Sequence, residues 1–165
     1  MSIYDTITFT MLETPHVILG AAIATKIGNP WIAIPLAFAS HFVLDKVPHW
    51  NPHTYTETVK NGGPSKSTIK IAISDALLSL AVGLGIAYSA LPNRALAMTI
   101  IACCLASVLP DVSKYPFFLF KGLRRGIYKK WVDYERKMQV QVESVFWGIV
   151  PQVLIILAGF WWLRT

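Results

Sequence analysis

From Thr68 to Leu91 the chain is apolar apart from Lys70 near its start and one interior charge, Asp75. A run of that length can cross a bilayer as a helix, which takes about 20 residues. Two further apolar runs follow at residues 95–109 and 145–163. Composition agrees. Hydrophobic residues make up 54% of the 165 and charged ones 15%, against about 25% charged in an ordinary soluble domain. So few charges cannot cover the surface of a soluble domain this small, and lipid is the natural solvent for the excess. The expected fold is all-α. It is a polytopic membrane bundle of about four to five membrane helices, counting a short hairpin. The whole chain, 1–165, reads as one domain, and a basic helix lies at the membrane surface.

The remaining segments fit around these runs. Residues 1–13 read as a short interfacial segment, with neither the basic start nor the continuous apolar core of a cleavable signal peptide. "TPHVILGAAIATKIG" opens with Thr14 as N-cap and Pro15 at the first helical position. Its apolar length, about 12 residues, is short of a full crossing. "NPWIAIPLAFAS" starts with a turn signal and runs apolar to Leu44, so the two pieces form a helical hairpin, either re-entrant or crossing a thinned bilayer. Residues 51–67 read as a loop, and "LPNR" (91–94) as a tight turn. "YPFFLFKGLRRG" reads as an interfacial helix with aromatics in lipid and bases among head groups. A polar helix from about Ile127 leads into the last apolar one. Pro151 is positioned to kink that helix, and Trp161 and Trp162 suit the far interface.

The net charge is +6, and eight of the fifteen Lys and Arg residues fall between Lys114 and Lys137. In a membrane chain such a cluster marks the cytoplasmic side and anionic lipid rather than nucleic acid. Cys103 and Cys104 are adjacent within an apolar run and read as packing residues. There is no glycine-rich phosphate loop and no Gly-x-Ser-x-Gly elbow.

The polar residues fall at one end of the bundle. His16 starts the first helix. The hairpin returns His41 and Asp45 to the same side, and His49 and His53 follow there. Asp75 lies about two turns into the next helix. After the turn at "LPNR" the chain comes back, bringing Asp111 to that face. A carboxylate among "IKIAISDALLSLAV" costs about 2–3 kcal/mol on insertion scales unless it finds a partner. His41 and Asp45 are spaced i, i+4 on one helical face, which suits two ligands of one ion. Pro48 turns the chain and swings His49 back. Imidazole with carboxylate favours zinc, with manganese or iron as alternatives. His16, Asp75 and Asp111 complete enough ligands for one metal ion or two.

"TPHVILGAAIA", "SHFVLDKVPHW" and "LPD" together resemble a bacterial family of small inner-membrane-associated proteins classed as metal-dependent hydrolases. The likeness spans roughly residues 14–112. It implies metal ligands at His16, His41, Asp45 and His49, and a hydrolytic activity. Relatives often carry an Asp-x-Asp-His cluster, whereas this chain has Asp45, Lys46, Val47, Pro48 and His49, which leaves the metal number open. A weaker likeness to helical zinc-dependent phospholipases C points to phosphoester chemistry.

The expected function is therefore a membrane-embedded hydrolase with a divalent metal, acting on a lipid phosphoester at the cytoplasmic face of the inner membrane. Asp75 and Asp111 would serve as further ligands, as partners orienting a histidine, or as a general base. Lys46 and the Arg124/Arg125 pair would attract an anionic head group. A metal or ion transporter and a non-enzymatic scaffold are the competing classes, and small residues along the helices also allow a homo-oligomer.

Overall fold

The computed structural model describes residues 11–50, 52–140 and 142–165. The expectation of an interfacial segment at 1–13 therefore falls mostly outside the described residues. The described chain is all-helical. α1 (Glu13–Ile27) and α2 (Pro30–Leu44) form the hairpin, and α3 (Thr54–Asn61) is a short helix within the segment read as a loop. α4 (Lys66–Ser89) and α5 (Arg94–Val112) are long. α6 (Tyr115–Leu119) and α7 (Gly126–Met138) follow, and α8 (Val145–Arg164) ends the chain. Among the described residues, three stretches are long and apolar enough to cross a membrane: α4, the run Arg94–Leu119, and α8. α1 and α2 have 15 residues each, about 22 Å of helix against the roughly 30 Å of a bilayer core.

α1 is the centre of the bundle and packs on α2, α4, α5 and α8. From Val17 to Ala24 its residues are apolar on all sides, the pattern of a helix surrounded by others. Gly20 allows the close approach to α5: a Cβ there would lie 2.8 Å from the Cys103 carbonyl oxygen and 2.9 Å from Ser107 Oγ. Each neighbour turns a narrow stripe toward α1. On α2 the buried residues are Ala33, Ala37, His41 and Leu44, so the stripe of small residues ends in a histidine. On α4 they include Asp75, Ser79, Gly83 and Ala87 at four-residue steps. Small residues at this spacing let helices touch without a hydrophobic driving force. The outer faces are lipid-like, with Leu77, Leu78 and Leu80 of α4 more than half exposed.

The hairpin turns at Gly28, whose φ of 67° a residue with a Cβ rarely adopts. Asn29 then caps α2 by accepting the Trp31 N–H at 3.0 Å. The start of α1 lies level with Asp75, nine residues or about 14 Å into α4. The far end is flush: Thr25, Ser89, Leu96 and Arg164 line one cavity there. The missing length of α1 is therefore all at the end that holds its histidine.

That gap is roofed. After α2 the chain turns through residues 45–47, and Asp45 and His49 pair through their backbones with Val140 and Val142. The Val140 N–H donates to the Asp45 carbonyl, and the His49 N–H to the Val140 carbonyl. This pairing interrupts the helix expected to run on from Ile127 and separates α7 from α8. The segment read as a surface helix from Tyr115 splits into α6 and a single 3-10 turn, Lys121–Leu123. α7 is amphipathic and buries Val132 and Glu135.

Candidate metal centre

The cluster is assembled from four helices and one turn. His16 comes from the first turn of α1, His41 from the last turn of α2, and Asp45 from the residue that caps α2. Asp111 stands at the end of α5 and Glu135 on the buried face of α7. His16, His41, Asp45 and Glu135 are fully buried, and Asp111 is 3% exposed.

His41 is held from both sides. Its Nδ1 donates to the Ser107 carbonyl oxygen at 2.8 Å, which fixes the ring and turns Nε2 toward the cluster. His41 Nε2 lies 3.2 Å from Asp45 Oδ2, 3.3 Å from Glu135 Oε1 and 3.8 Å from Asp111 Oδ1. His16 stacks on it with ring centroids 4.3 Å apart, and His16 Nε2 is 3.5 Å from Asp45 Oδ1. Ligands at about 2.0 Å around a tetrahedral ion lie about 3.3 Å apart, so these separations suit an ion held between the groups. Among the described residues, two ligand sets converge within 4.8 Å: His16, His41 and Asp111; and His41, Asp45, Asp111 and Glu135.

Charge points the same way. With neutral histidines, Asp45, Asp111 and Glu135 bring three negative charges to a buried site. Lys114, itself 3% exposed, is paired with Asp111 and lies 2.6 Å from Glu135 Oε2. One ammonium leaves two negative charges uncompensated, a costly state away from water. A divalent cation would balance them, as in part would a proton on His41 shared with Asp45 and Glu135. Several buried atoms are also without hydrogen-bond partners: both nitrogens of His16, Asp45 Oδ1 and His49 Nε2. Native interiors rarely leave such atoms unmatched, and the donor set, imidazole nitrogen with carboxylate oxygen, is that of zinc, manganese or iron.

His49 is buried, and its Nδ1 donates to the Val47 carbonyl at 2.7 Å. Burial lowers its imidazole pKa, which keeps it neutral, the form that binds a metal. It stands beside the converging set rather than in it. His53 is half-buried at the start of α3.

Asp75 is placed differently from Asp111. Its carboxylate accepts the backbone N–H of Glu13 at 2.5 Å, the N–H of Thr14 at 3.4 Å and the Thr14 hydroxyl at 2.6 Å. It thus caps α1 from a neighbouring helix, where the sequence suggested Thr14 as cap. The helix N-terminus is the favoured place for a carboxylate. Of the bases expected to meet a head group, Lys46 and Arg125 are exposed. Arg124 instead ties loops together, donating to the carbonyls of Phe117, Gly62 and Phe118.

Sequence reasoning did not single out Glu135 or Lys114. Each has a signal in retrospect. Glu135 follows Val132 by three on the apolar stripe of a polar helix, where an acid is out of place. Lys114 follows Asp111 by three, the spacing of a helical ion pair. Gln139, which donates to Asp45 Oδ2 at 3.1 Å, has none. No family model, curated protein or solved structure matches the chain.

Proposed function

We propose that the protein is a membrane-embedded metal-dependent hydrolase of a lipid phosphoester, zinc being the first candidate metal. The observation that carries this reading is the convergence of His16, His41, Asp45, Asp111 and Glu135 in one buried cluster with a single lysine. A divalent cation there would lower the pKa of a water and polarise a phosphoryl oxygen. His41 holds its orientation through Ser107, and Asp45 through Gln139. Asp111 borders a small recess together with Lys114. Where it is not itself a ligand, Asp111 would take the proton of an attacking water, and Lys114 would offset the anionic oxygen of the substrate. Hydrolysis joins the water oxygen to phosphorus, and the ester oxygen leaves as an alcohol with a proton. The basic stretch 114–137 lies at the same end as the cluster, which supports a multi-pass protein of the inner membrane with its site toward the cytoplasm. The likeness of the His/Asp motifs to membrane-associated hydrolases supports the same reading.

The test is metal analysis of the native purified protein beside His41→Ala and Asp45→Ala, with phospholipid hydrolysis in mixed micelles. One or two equivalents of metal, lost in both variants, and cleavage that stops with chelator and returns with metal are expected. A native protein without stoichiometric metal would leave a histidine–carboxylate network and favour a scaffold. Bound metal with ion flux in liposomes but no hydrolysis would favour transport.

A further inference from the structure

The residues of the sequence leave open whether the cluster takes one ion or two. His41 bears on that number. Both ligand sets use it, and both use Asp111. His41 Nδ1 is occupied by the Ser107 carbonyl oxygen, so only Nε2 can reach a metal. A single imidazole nitrogen binds one ion at a time. The two sets are therefore alternative seats for one ion, not two sites filled together.

Lys114 bears on it independently. Glu135 divides its carboxylate: Oε1 faces His41 Nε2 at 3.3 Å, and Oε2 lies 2.6 Å from Lys114 Nζ. Asp111 is shared in the same way, its Oδ1 standing 3.8 Å from His41 Nε2 and pairing with Lys114. Carboxylates shared between neighbouring cations suit a two-metal centre, whose ions lie about 3.5–4 Å apart. Here the second cation is an ammonium, and it is fixed. Lys114 is 3% exposed. Its backbone is pinned where α5 passes into α6: its N–H donates to the Asp111 carbonyl, and its carbonyl accepts the Phe117 N–H, each at 2.9 Å. Glu13 and Asp75 border the same recess but belong to neither ligand set. Asp75 caps α1, and Glu13 accepts the Tyr115 hydroxyl.

We propose that the centre is mononuclear and that Lys114 Nζ fills the place of a second ion, bridged to the first through Glu135 and Asp111. This rests on the metal-centre reading of the cluster and fixes its metal number. The ammonium supplies charge that needs no loading. It has donors only and cannot bind a water as a Lewis acid, so the centre has one place at which a water is activated. Exchanging the ammonium for an oxygen ligand should open the second seat.

The experiment loads the purified full-length protein in detergent with Mn²⁺. Bound metal is read by elemental analysis and by electron paramagnetic resonance. The native protein should hold about one equivalent, with the spectrum of an isolated ion. Lys114→Asp adds a ligand, and Lys114→Gln keeps the length while removing the charge. Each should take up a second ion, seen as about two equivalents and a broadened, exchange-coupled spectrum. Elution profile checks folding, and where Lys114→Asp fails to fold, Lys114→Gln decides. A coupled pair of ions in the native protein overturns the proposal, as do folded variants that never exceed one equivalent. Phospholipid cleavage is followed in the same samples. Two ions with cleavage in the native protein sink the lysine proposal alone. The expected stoichiometries without cleavage sink the hydrolase reading alone, and a native protein that takes no metal sinks both.

Discussion

The Asp75 carboxylate accepts the backbone N–H of Glu13 at 2.5 Å, so a residue of α4 caps a helix that begins sixty-two positions earlier. An acid inside an apolar span is thereby explained by backbone groups that nothing else satisfies. Asp75→Asn keeps an acceptor and should lose about 1 kcal/mol, whereas Asp75→Ala should lose about 1–3 kcal/mol by stranding the N–H groups of α1. Thermal unfolding in detergent reads the loss. If capping is its whole role, Asp75→Asn keeps its bound metal and its turnover per folded molecule.

Lys114 is the cation among the buried carboxylates. Lys114→Met should destabilise the metal-free protein by about 3–5 kcal/mol, the usual cost of removing one partner from a buried ion pair. Added metal should recover much of that loss, because the ion replaces the missing charge. The measurement is the melting temperature with and without chelator. A variant that is equally weakened in both conditions would contradict the charge balance.

Glu135→Gln keeps the shape and removes the charge. Metal affinity should fall about 10- to 100-fold, the range seen when groups around a metal are altered, read by competition with a chromogenic chelator. The His41–Ser107 hydrogen bond is untouched, so the fold should persist.

Gly20→Val should destabilise by about 1–3 kcal/mol through overpacking against α5. It should also loosen the metal, since α1 and α5 carry His16 and Asp111. Gly85→Val, where a Cβ meets nothing within 4 Å, is the control and should bind metal normally.

Asp133 tethers α7 to α3 by accepting the Tyr55 hydroxyl at 2.6 Å and pairing with Lys129. Burial raises its pKa, but the Lys129 and Tyr55 bonds outweigh this and hold it below the ordinary 3.8. A depressed carboxylate contributes stability that is complete above its unfolded pKa and lost as pH falls through its folded value. The melting temperatures of wild type and Asp133→Asn should therefore differ at pH 7 and converge below about pH 4.

Much of the site was legible because its residues break a pattern. His16, His41 and Asp111 end apolar helices, and counting the chain's turns places them at one end of the bundle. The i, i+4 spacing of His41 and Asp45 gives them a shared direction. Glu135 and Gln139 were not legible, since α7 reads as a solvated polar helix until its docking face is known. The pairing of Asp45 and His49 with Val140 and Val142, which sets that docking, uses backbone groups that carry no sequence signature. The length of α1 was legible from its apolar run. Which end falls short was not, because that depends on the level at which Asp75 meets Glu13.

That level has a mechanical consequence. In a bilayer crossed by α4, α5 and α8, the start of α1 lies about 14 Å below the start of α4. A phosphate resting at the ordinary head-group plane stands above Asp111 and Lys114. On the lipid reading proposed above, either a lipid is drawn down to close the distance or the leaflet dimples beside α4 and α5. Thinning costs fractions of a kcal/mol per Å, and the rigid bundle passes that cost to the membrane. Thin or strongly curved bilayers, already part-way to the dimple, should therefore deliver lipid to the cluster more readily than thick, flat ones.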